Sequence, residues 1–285
     1  MWDKKLPLSM KQPDPVLVVD LFPSLQTGLV DLLASLSAVE WEQPIRYSTW
    51  TVREVALHLL GGEIGNLSRR RDGYTLPAKP LESWRDRVTF INDLNDQWLI
   101  GARRISPRLL CDLLTFTAPQ LFAYFKSLDP FALGASVSWA GSEPAPVWLD
   151  IAREYTERWY HQQQIRDAVG MPGFKQPQYF APVLATFVHA LPKNFQSVSV
   201  PDGTVVALIL TGDSGGTWCV SNETQAWRLY AGTSSSPNTQ VSLDQDIAWR
   251  LFTKGIGKEE ALSQATLIGD KALGMKIFDA VSIIA

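Results

Sequence analysis

The stretch REYTERWYHQQQIR, residues 153–166, decides the first half of the fold, because it has the pattern of one continuous helix. Glu157 and His161 are four positions apart in it, and side chains at that spacing project from the same face of a helix. Asp150 and Glu154 lie on the same face, at the spacing that apolar residues have where a helix packs against a core. Here, however, all four residues of the face, Asp150, Glu154, Glu157 and His161, can ionise. Burying unpaired charges is costly, so such a face is either solvated or holds a cation.

Further helices are predicted on either side of this stretch. The apolar periodicity predicts helices over about 21–36, 51–70, 81–104, 106–126 and 146–170. TVRE at 51–54 is a capping box, in which a hydroxyl and a carboxylate satisfy free amides at the start of a helix. Ser106 and Pro107 suit an N-cap and first helical position, and Gly170 suits a helix end. Long helices with short connections predict a bundle.

The last third of the chain has the residue pattern of strands rather than of long helices. Alternating and β-branched segments predict strands over about 204–210, 217–220, 226–230, 239–241 and 266–268. Helices are predicted over about 243–253 and 270–281, and the glycines and prolines between residues 170 and 182 predict a linker. The expected fold class is therefore α + (α+β). A helical bundle over 1–175 precedes a smaller α+β domain over 176–285 with a mainly antiparallel sheet.

Composition excludes several classes of function. The 285 residues include 26 Lys and Arg against 29 Asp and Glu, a net charge of −3, and neither half is basic, which argues against nucleic-acid binding. No apolar run approaches the roughly 18 residues of a membrane helix, and the first residues make a poor signal peptide. Two cysteines do not form a disulfide framework. The expected location is the cytoplasm, without a membrane partner.

Three histidines, His58, His161 and His189, are the only ones in the chain. His58 falls in the middle of the second predicted helix, so with Glu157 and His161 it could supply three nitrogen and oxygen ligands from two helices. Three protein ligands with an open fourth position are typical of catalytic rather than structural zinc. His189 has no acidic neighbour in sequence and is interpreted as structural or interfacial.

An alternative without a metal stays open at this point. The apolar residues Trp148, Ile151, Tyr155, Trp159 and Ile165 could supply the core-facing stripe of the last long helix. The acidic face would then lie in water, with Arg153 and Glu157 as a surface ion pair worth about 0.3–0.5 kcal/mol. His58 would be an ordinary core histidine.

Two motifs together resemble a known family. WTVREVALHL at 50–59 and the stretch at 153–166 are similar to two signatures of the mycothiol-dependent maleylpyruvate isomerase family, which belongs to the DinB-like metal-binding four-helix bundles. The resemblance maps the family's His, Glu, His metal triad onto His58, Glu157 and His161. Many relatives carry Asp where this chain has Gln164. AWRLFTK at 248–254 and IGD at 268–270 resemble the sterol-carrier-protein-like domain often fused behind this bundle.

The resemblance implies an N-terminal DinB-like four-helix bundle, a divalent metal, with zinc the first candidate, and a low-molecular-weight thiol such as mycothiol. The implied activity is that of an isomerase or S-transferase, in which thiolate attacks a small electrophilic substrate. Glu154 and Asp150 are the candidate catalytic residues. Two alternatives remain: a metal-dependent hydrolase that uses bound water with one of these carboxylates as base, and a non-catalytic ligand-binding protein. Either a monomer or a homodimer is expected.

Overall fold

The fold is described from a computed structural model, which covers residues 10–75, 83–141 and 143–283. These residues form two compact units. The helical unit contains residues 18–129 and 154–174, and the sheet unit contains residues 10–17, 130–153 and 175–283.

The long helices of the first half follow the predicted periodicity, and a short helix, α2, was not predicted. The helices are α1 (Phe22–Ser35), α2 (Ala38–Trp41), α3 (Val52–Asn66), α4 (Trp84–Ala102), α5 (Pro107–Ser127) and α6 (Val147–Val169). A π-helical turn, Leu67–Arg71, prolongs α3. The predicted start of the third long helix, near Leu81, lies outside the described residues.

Local capping explains where these helices begin. The Thr51 hydroxyl accepts a hydrogen bond from the Glu54 amide at 3.3 Å, and the Glu54 carboxylate accepts one from the Thr51 amide at 2.8 Å. The predicted capping box is therefore confirmed. Ser106 caps α5 as expected, with Pro107 as its first residue. A second box, Ser83 with Asp86, starts α4.

The helical unit is held together by an apolar core shared among α1, α3, α5 and α6. Its completely or almost completely buried members include Leu29, Leu33, Val55, Leu60, Leu110, Leu114 and Ile165. Tyr155 and Trp159 of α6 are also fully buried, and the Trp159 indole donates to the carbonyl of Phe174 at 2.7 Å. The apolar stripe predicted for α6 is thus confirmed as core. Within the described residues, no helix combines the length and apolarity needed to cross a bilayer.

The described residues of the sheet unit form five strands, β1 (Val205–Thr211), β2 (Gly216–Glu223), β3 (Ala226–Ala231), β4 (Thr239–Asp244) and β5 (Thr266–Gly269). Their order is β3-β2-β1-β4-β5; β1 and β4 pair in parallel, and the other neighbours pair antiparallel. The prediction of an α+β region with a mainly antiparallel sheet is therefore confirmed.

Helices of the sheet unit depart further from the prediction. They are α7 (Pro177–Phe187), α8 (Leu191–Phe195), α9 (Gln245–Phe252), α10 (Lys258–Ser263) and α11 (Lys271–Met275). The linker predicted up to Pro182 was wrong beyond residue 176, since that stretch forms α7. Pro177 occupies the first helical position, where no amide partner is lost, and Pro182 lies inside a helix whose apolar residues Phe180, Val183 and Leu184 are buried.

The two units interleave along the chain. After α6 the chain leaves the helical unit at Phe174 and enters the sheet unit at Lys175. This point is one residue from the predicted division into residues 1–175 and 176–285. The segment 130–153, placed by that division with the bundle, instead lies in the sheet unit. There the Lys193 ammonium donates to the carbonyl of Ser138 at 2.7 Å, and the rings of Trp148 and His189 are 5.5 Å apart.

Candidate metal centre

Two helices of the helical unit bring together the three predicted ligands. His58 lies in α3, and Glu157 and His161 lie one turn apart in α6. Each offers a ligand atom, and these atoms all lie within 4.8 Å of one another. His161 Nε2 is 3.4 Å from a Glu157 carboxylate oxygen, and the ring centroids of His58 and His161 are 4.7 Å apart. Residues 99 positions apart in sequence thus converge on one point.

The orientation of His161 is set by a neighbour on its own helix. Its Nδ1 is 2.8 Å from the side-chain oxygen of Gln164, which can only accept a hydrogen bond. Nδ1 therefore carries a proton, and Nε2 is the ring nitrogen on the side of Glu157. Gln164 also bonds to the Tyr160 hydroxyl, and the Tyr160 ring lies 4.2 Å from that of His161. Sequence reasoning assigned no role to Gln164, although its i,i+3 spacing from His161 was a usable signal.

His58 is held as a neutral imidazole. Desolvation by burial, followed by the proximity of His161, lowers the pKa of His58 from 6.5 to about 3, against the opposing effects of Glu157 and of a hydrogen bond with Asn95. The Trp50 ring, 5.0 Å away, covers one side of the imidazole. Trp50 and Asn95 were not predicted to belong to the site. Asn95 lies in α4, and nothing in its sequence surroundings connects that helix with the two motifs.

The donor set fits a divalent transition metal. Neutral imidazole nitrogen is the ligating form of histidine, and His161 places Nε2 on the side of the Glu157 carboxylate. Two imidazoles and one carboxylate suit zinc and several of its neighbours in the first transition series. The hydrogen bond between His161 and Gln164 and that between His58 and Asn95 provide the outer support that metal-binding histidines usually have.

Comparison with known proteins identifies the family. The family model for the mycothiol maleylpyruvate isomerase N-terminal domain matches residues 22–166, which is 145 of the 285 residues. The chain belongs to this family. The matched region starts at the first residue of α1 and includes His58, Glu157 and His161.

Among solved structures, the chain is similar to a crystal structure of the mycothiol-dependent maleylpyruvate isomerase. Sequence identity is 12%, the match covers 82% of this chain and 86% of that one, and the TM-score is 0.49. A histidine-to-alanine mutant of that isomerase gives 11% identity, the same two coverages and a TM-score of 0.46. No curated protein matches the sequence.

The two candidate catalytic carboxylates precede Glu157 and His161 on α6. Glu154, one turn before Glu157, lies 3.8 Å from the guanidinium of Arg70, and both side chains are largely buried. Asp150 accepts from Arg153 at 3.0 Å. Neither carboxylate belongs to the group whose ligand atoms converge. Their catalytic role stays a prediction.

The acidic face of α6 is not the solvated surface of the alternative interpretation. His161 is 4% exposed, and Glu157 is half-buried beside it rather than fully in water. Arg153, expected there as the partner of Glu157, instead makes its closest described ion pair with Asp150. The core stripe and the ionisable face therefore both lie in the protein, on different sides of one helix.

His189, the third histidine, lies in the sheet unit. Burial alone lowers its pKa from 6.5 to about 4, and its ring contacts Trp148. Both cysteines are free, and desolvation is the first cause that raises the pKa of each thiol. Neither thiol has the electropositive, exposed surroundings of a reactive cysteine.

Proposed function

We propose that this protein is a metal-dependent enzyme that uses a low-molecular-weight thiol of the mycothiol type. It acts as an isomerase or S-transferase on a small electrophilic substrate. The observation that carries the proposal is the convergence of His58, Glu157 and His161 within 4.8 Å, on the two motifs that characterise the family. Zinc is the metal we propose, because two imidazoles and one carboxylate with an open position match its catalytic sites.

The chain's own residues have separate tasks in this proposal. A divalent metal at the site supplies Lewis acidity, which lowers the pKa of a thiol and makes a thiolate nucleophile accessible at neutral pH. Gln164 keeps the proton of His161 on Nδ1, and Asn95 orients His58. Trp50 excludes water from one side of His58. Thiol and electrophile are the small-molecule partners.

Glu154 and Asp150 are proposed to handle protons during turnover. They lie one and two turns before Glu157 on α6, and Glu154 is held by Arg70. Glu154→Gln and Asp150→Asn keep the size of each side chain and remove the proton acceptor. A residue that acts as general base should lower kcat by about 10²–10⁴-fold when removed, with the metal retained.

We also propose that the sheet unit is a sterol-carrier-protein-like domain. Support comes from the AWRLFTK motif, which forms α9 and the turn after it, and from the IGD motif, which links β5 to α11. Co-purified apolar ligand, found by mass spectrometry of solvent extracts of the native protein, would support this assignment. Extracts with no more ligand than an unrelated control protein would oppose it.

Thiol-dependent turnover tests the proposed function. The zinc-loaded protein should convert maleylpyruvate or a related activated alkene only when mycothiol or a simpler thiol is added. His161→Ala should abolish that turnover while the helical circular dichroism is unchanged, and His189→Gln, which removes a histidine from the other unit, should leave it unchanged. Turnover without any thiol, or by metal-free protein, would contradict the proposal.

A further inference from the structure

The centre of the helical unit contains a polar network that the metal site does not use. Arg158 of α6 donates through Nη2 to Glu63 of α3 and through Nη1 to the side-chain oxygen of Gln26 of α1. The Thr117 hydroxyl of α5 donates to the second oxygen of Glu63. We call Gln26, Glu63, Thr117 and Arg158 the core polar network. Four helices each contribute one member.

All four side chains are withdrawn from water. Glu63 is 1% exposed, Arg158 4%, and Gln26 and Thr117 7% each. Burial raises the pKa of the Glu63 carboxyl, against the opposing effects of Arg158 and Thr117, and Nε of Arg158 has no hydrogen-bond partner within the described part of the chain. The cost of removing both charges from water offsets most of the electrostatic attraction between Glu63 and Arg158. A buried ion pair of this kind therefore contributes little to the free energy of unfolding. Its role must therefore be sought in the arrangement of the helices.

The network joins the same two helices that carry the metal ligands. Glu63 follows His58 by five residues on α3, while Arg158 is next to Glu157 and three residues before His161 on α6. Apolar side chains alone tolerate small rotations of one helix against another. A rotation of α6 by about 20° would move side-chain atoms, which lie about 5–6 Å from the helix axis, by about 2 Å. Metal–ligand distances tolerate only about 0.2 Å.

We propose that the core polar network fixes the rotation of α6 against α3, and that Arg158 and Glu63 are thereby positioning residues for the His58, Glu157 and His161 site. A guanidinium fork suits this task, because its planar donors are satisfied by Glu63 and Gln26 together in one orientation only. The inference rests on the proposed function to the extent that these three residues hold a metal.

A triple variant separates positioning from stability. Gln26→Met/Glu63→Met/Arg158→Met replaces the buried polar groups by flexible apolar side chains, an exchange that is often neutral or stabilising. The matched control, Leu29→Met/Leu60→Met/Ile165→Met, changes three buried apolar residues on the same three helices. Zinc affinity is measured on the full chain by competition with a chromophoric chelator, and Co²⁺ absorption spectra report the ligand geometry.

The inference predicts a different result for each protein. The polar-network variant should keep its melting temperature within about 5 °C of the parent, bind zinc at least about 10-fold more weakly, and show an altered Co²⁺ spectrum. The control should bind zinc within about 2-fold of the parent with an unchanged spectrum, because volume-conserving swaps disturb a core little. Parent-like affinity and spectrum in the folded polar-network variant would overturn the inference.

Arg158→Lys provides a second test should the triple variant not fold. Lysine keeps the charge but cannot satisfy Glu63 and Gln26 as a fork, so zinc affinity should fall and the Co²⁺ spectrum should change. Parent-like values for both would again overturn the inference. If the parent itself bound no metal, the proposed function would be refuted as well. If parent and variants bound metal equally, only the positioning role of the core polar network would be refuted.

Discussion

Gln164 illustrates how one side chain determines what a neighbouring ligand can do. Its amide oxygen fixes a proton of His161 on Nδ1, so that Nε2 is the ring nitrogen on the side of Glu157. The four-residue spacing of Glu157 and His161 indicated a shared helix face, and the family resemblance turned that face into part of a predicted ligand set. The support from Trp50 and Asn95 could not be predicted, since it depends on how α4 and the start of α3 pack.

Replacement of Gln164 should weaken metal binding without unfolding the protein. Gln164→Leu removes the acceptor for Nδ1, and losses of such outer partners typically cost about 10–100-fold in metal affinity. Gln164→Glu retains an acceptor and should bind metal far more tightly than the leucine variant. Zinc competition titrations of the three proteins test this. Equal affinities of parent and Gln164→Leu would show that Gln164 does not orient His161.

His189 should make the protein sensitive to mild acid. Its pKa is lowered from 6.5 to about 4 in the folded state, so between those values the unfolded chain binds a proton that the folded chain does not. Stability from this residue is therefore present above about pH 6.5 and is lost as the pH falls toward 4. From pH 7 to pH 5 the loss should be about 1–2 kcal/mol.

This contribution is measured by urea unfolding of the parent and of His189→Gln at pH 7 and pH 5. Both proteins are first freed of metal with a chelator. Because His58 titrates in both proteins, the difference between them isolates His189. The variant should lose less stability on acidification than the parent. An identical loss in the two proteins would place the acid sensitivity elsewhere.

At the scale of single elements, local signals decided which parts could be predicted. The helices α3, with its capping box, and α5, with an N-terminal Ser-Pro, were predicted to within a few residues, because their first turns carry the information that starts them. The helix α7 was missed because its two prolines, taken alone, predict a linker, although its apolar residues are spaced as in a helix. It is stabilised instead by the burial of Phe180, Val183 and Leu184.

The capping box at the start of α3 should contribute measurably to stability. Thr51→Ala removes the hydroxyl that accepts from the Glu54 amide and should lower the free energy of unfolding by about 1 kcal/mol. Thr27→Ala, an exposed position within α1, serves as control and should change it by less than about 0.5 kcal/mol. Urea denaturation of both variants provides the comparison. Equal effects of the two substitutions would mean that the box does not stabilise α3.

At the scale of the whole molecule, a helical region followed by a mainly antiparallel sheet was predictable, but the grouping of the chain was not. Sequence alone divides the protein at residue 175, whereas the segment 130–153 lies with the sheet unit through contacts such as Lys193 with Ser138. Contacts between residues 55 positions apart leave no local pattern. The helical positions of His58, Glu157 and His161 made their meeting one of two open interpretations, and the resemblance of two motifs to those of one family made it the prediction.

Elemental analysis tests the central claim most directly. The protein, purified without chelator or a histidine tag, is compared with the Glu157→Ala/His161→Ala variant after both are offered zinc. We expect about one equivalent of metal in the parent and none in the variant, because removing two of three ligands leaves only His58. Metal-free parent protein, or equal metal in both, would contradict a metal centre formed by His58, Glu157 and His161.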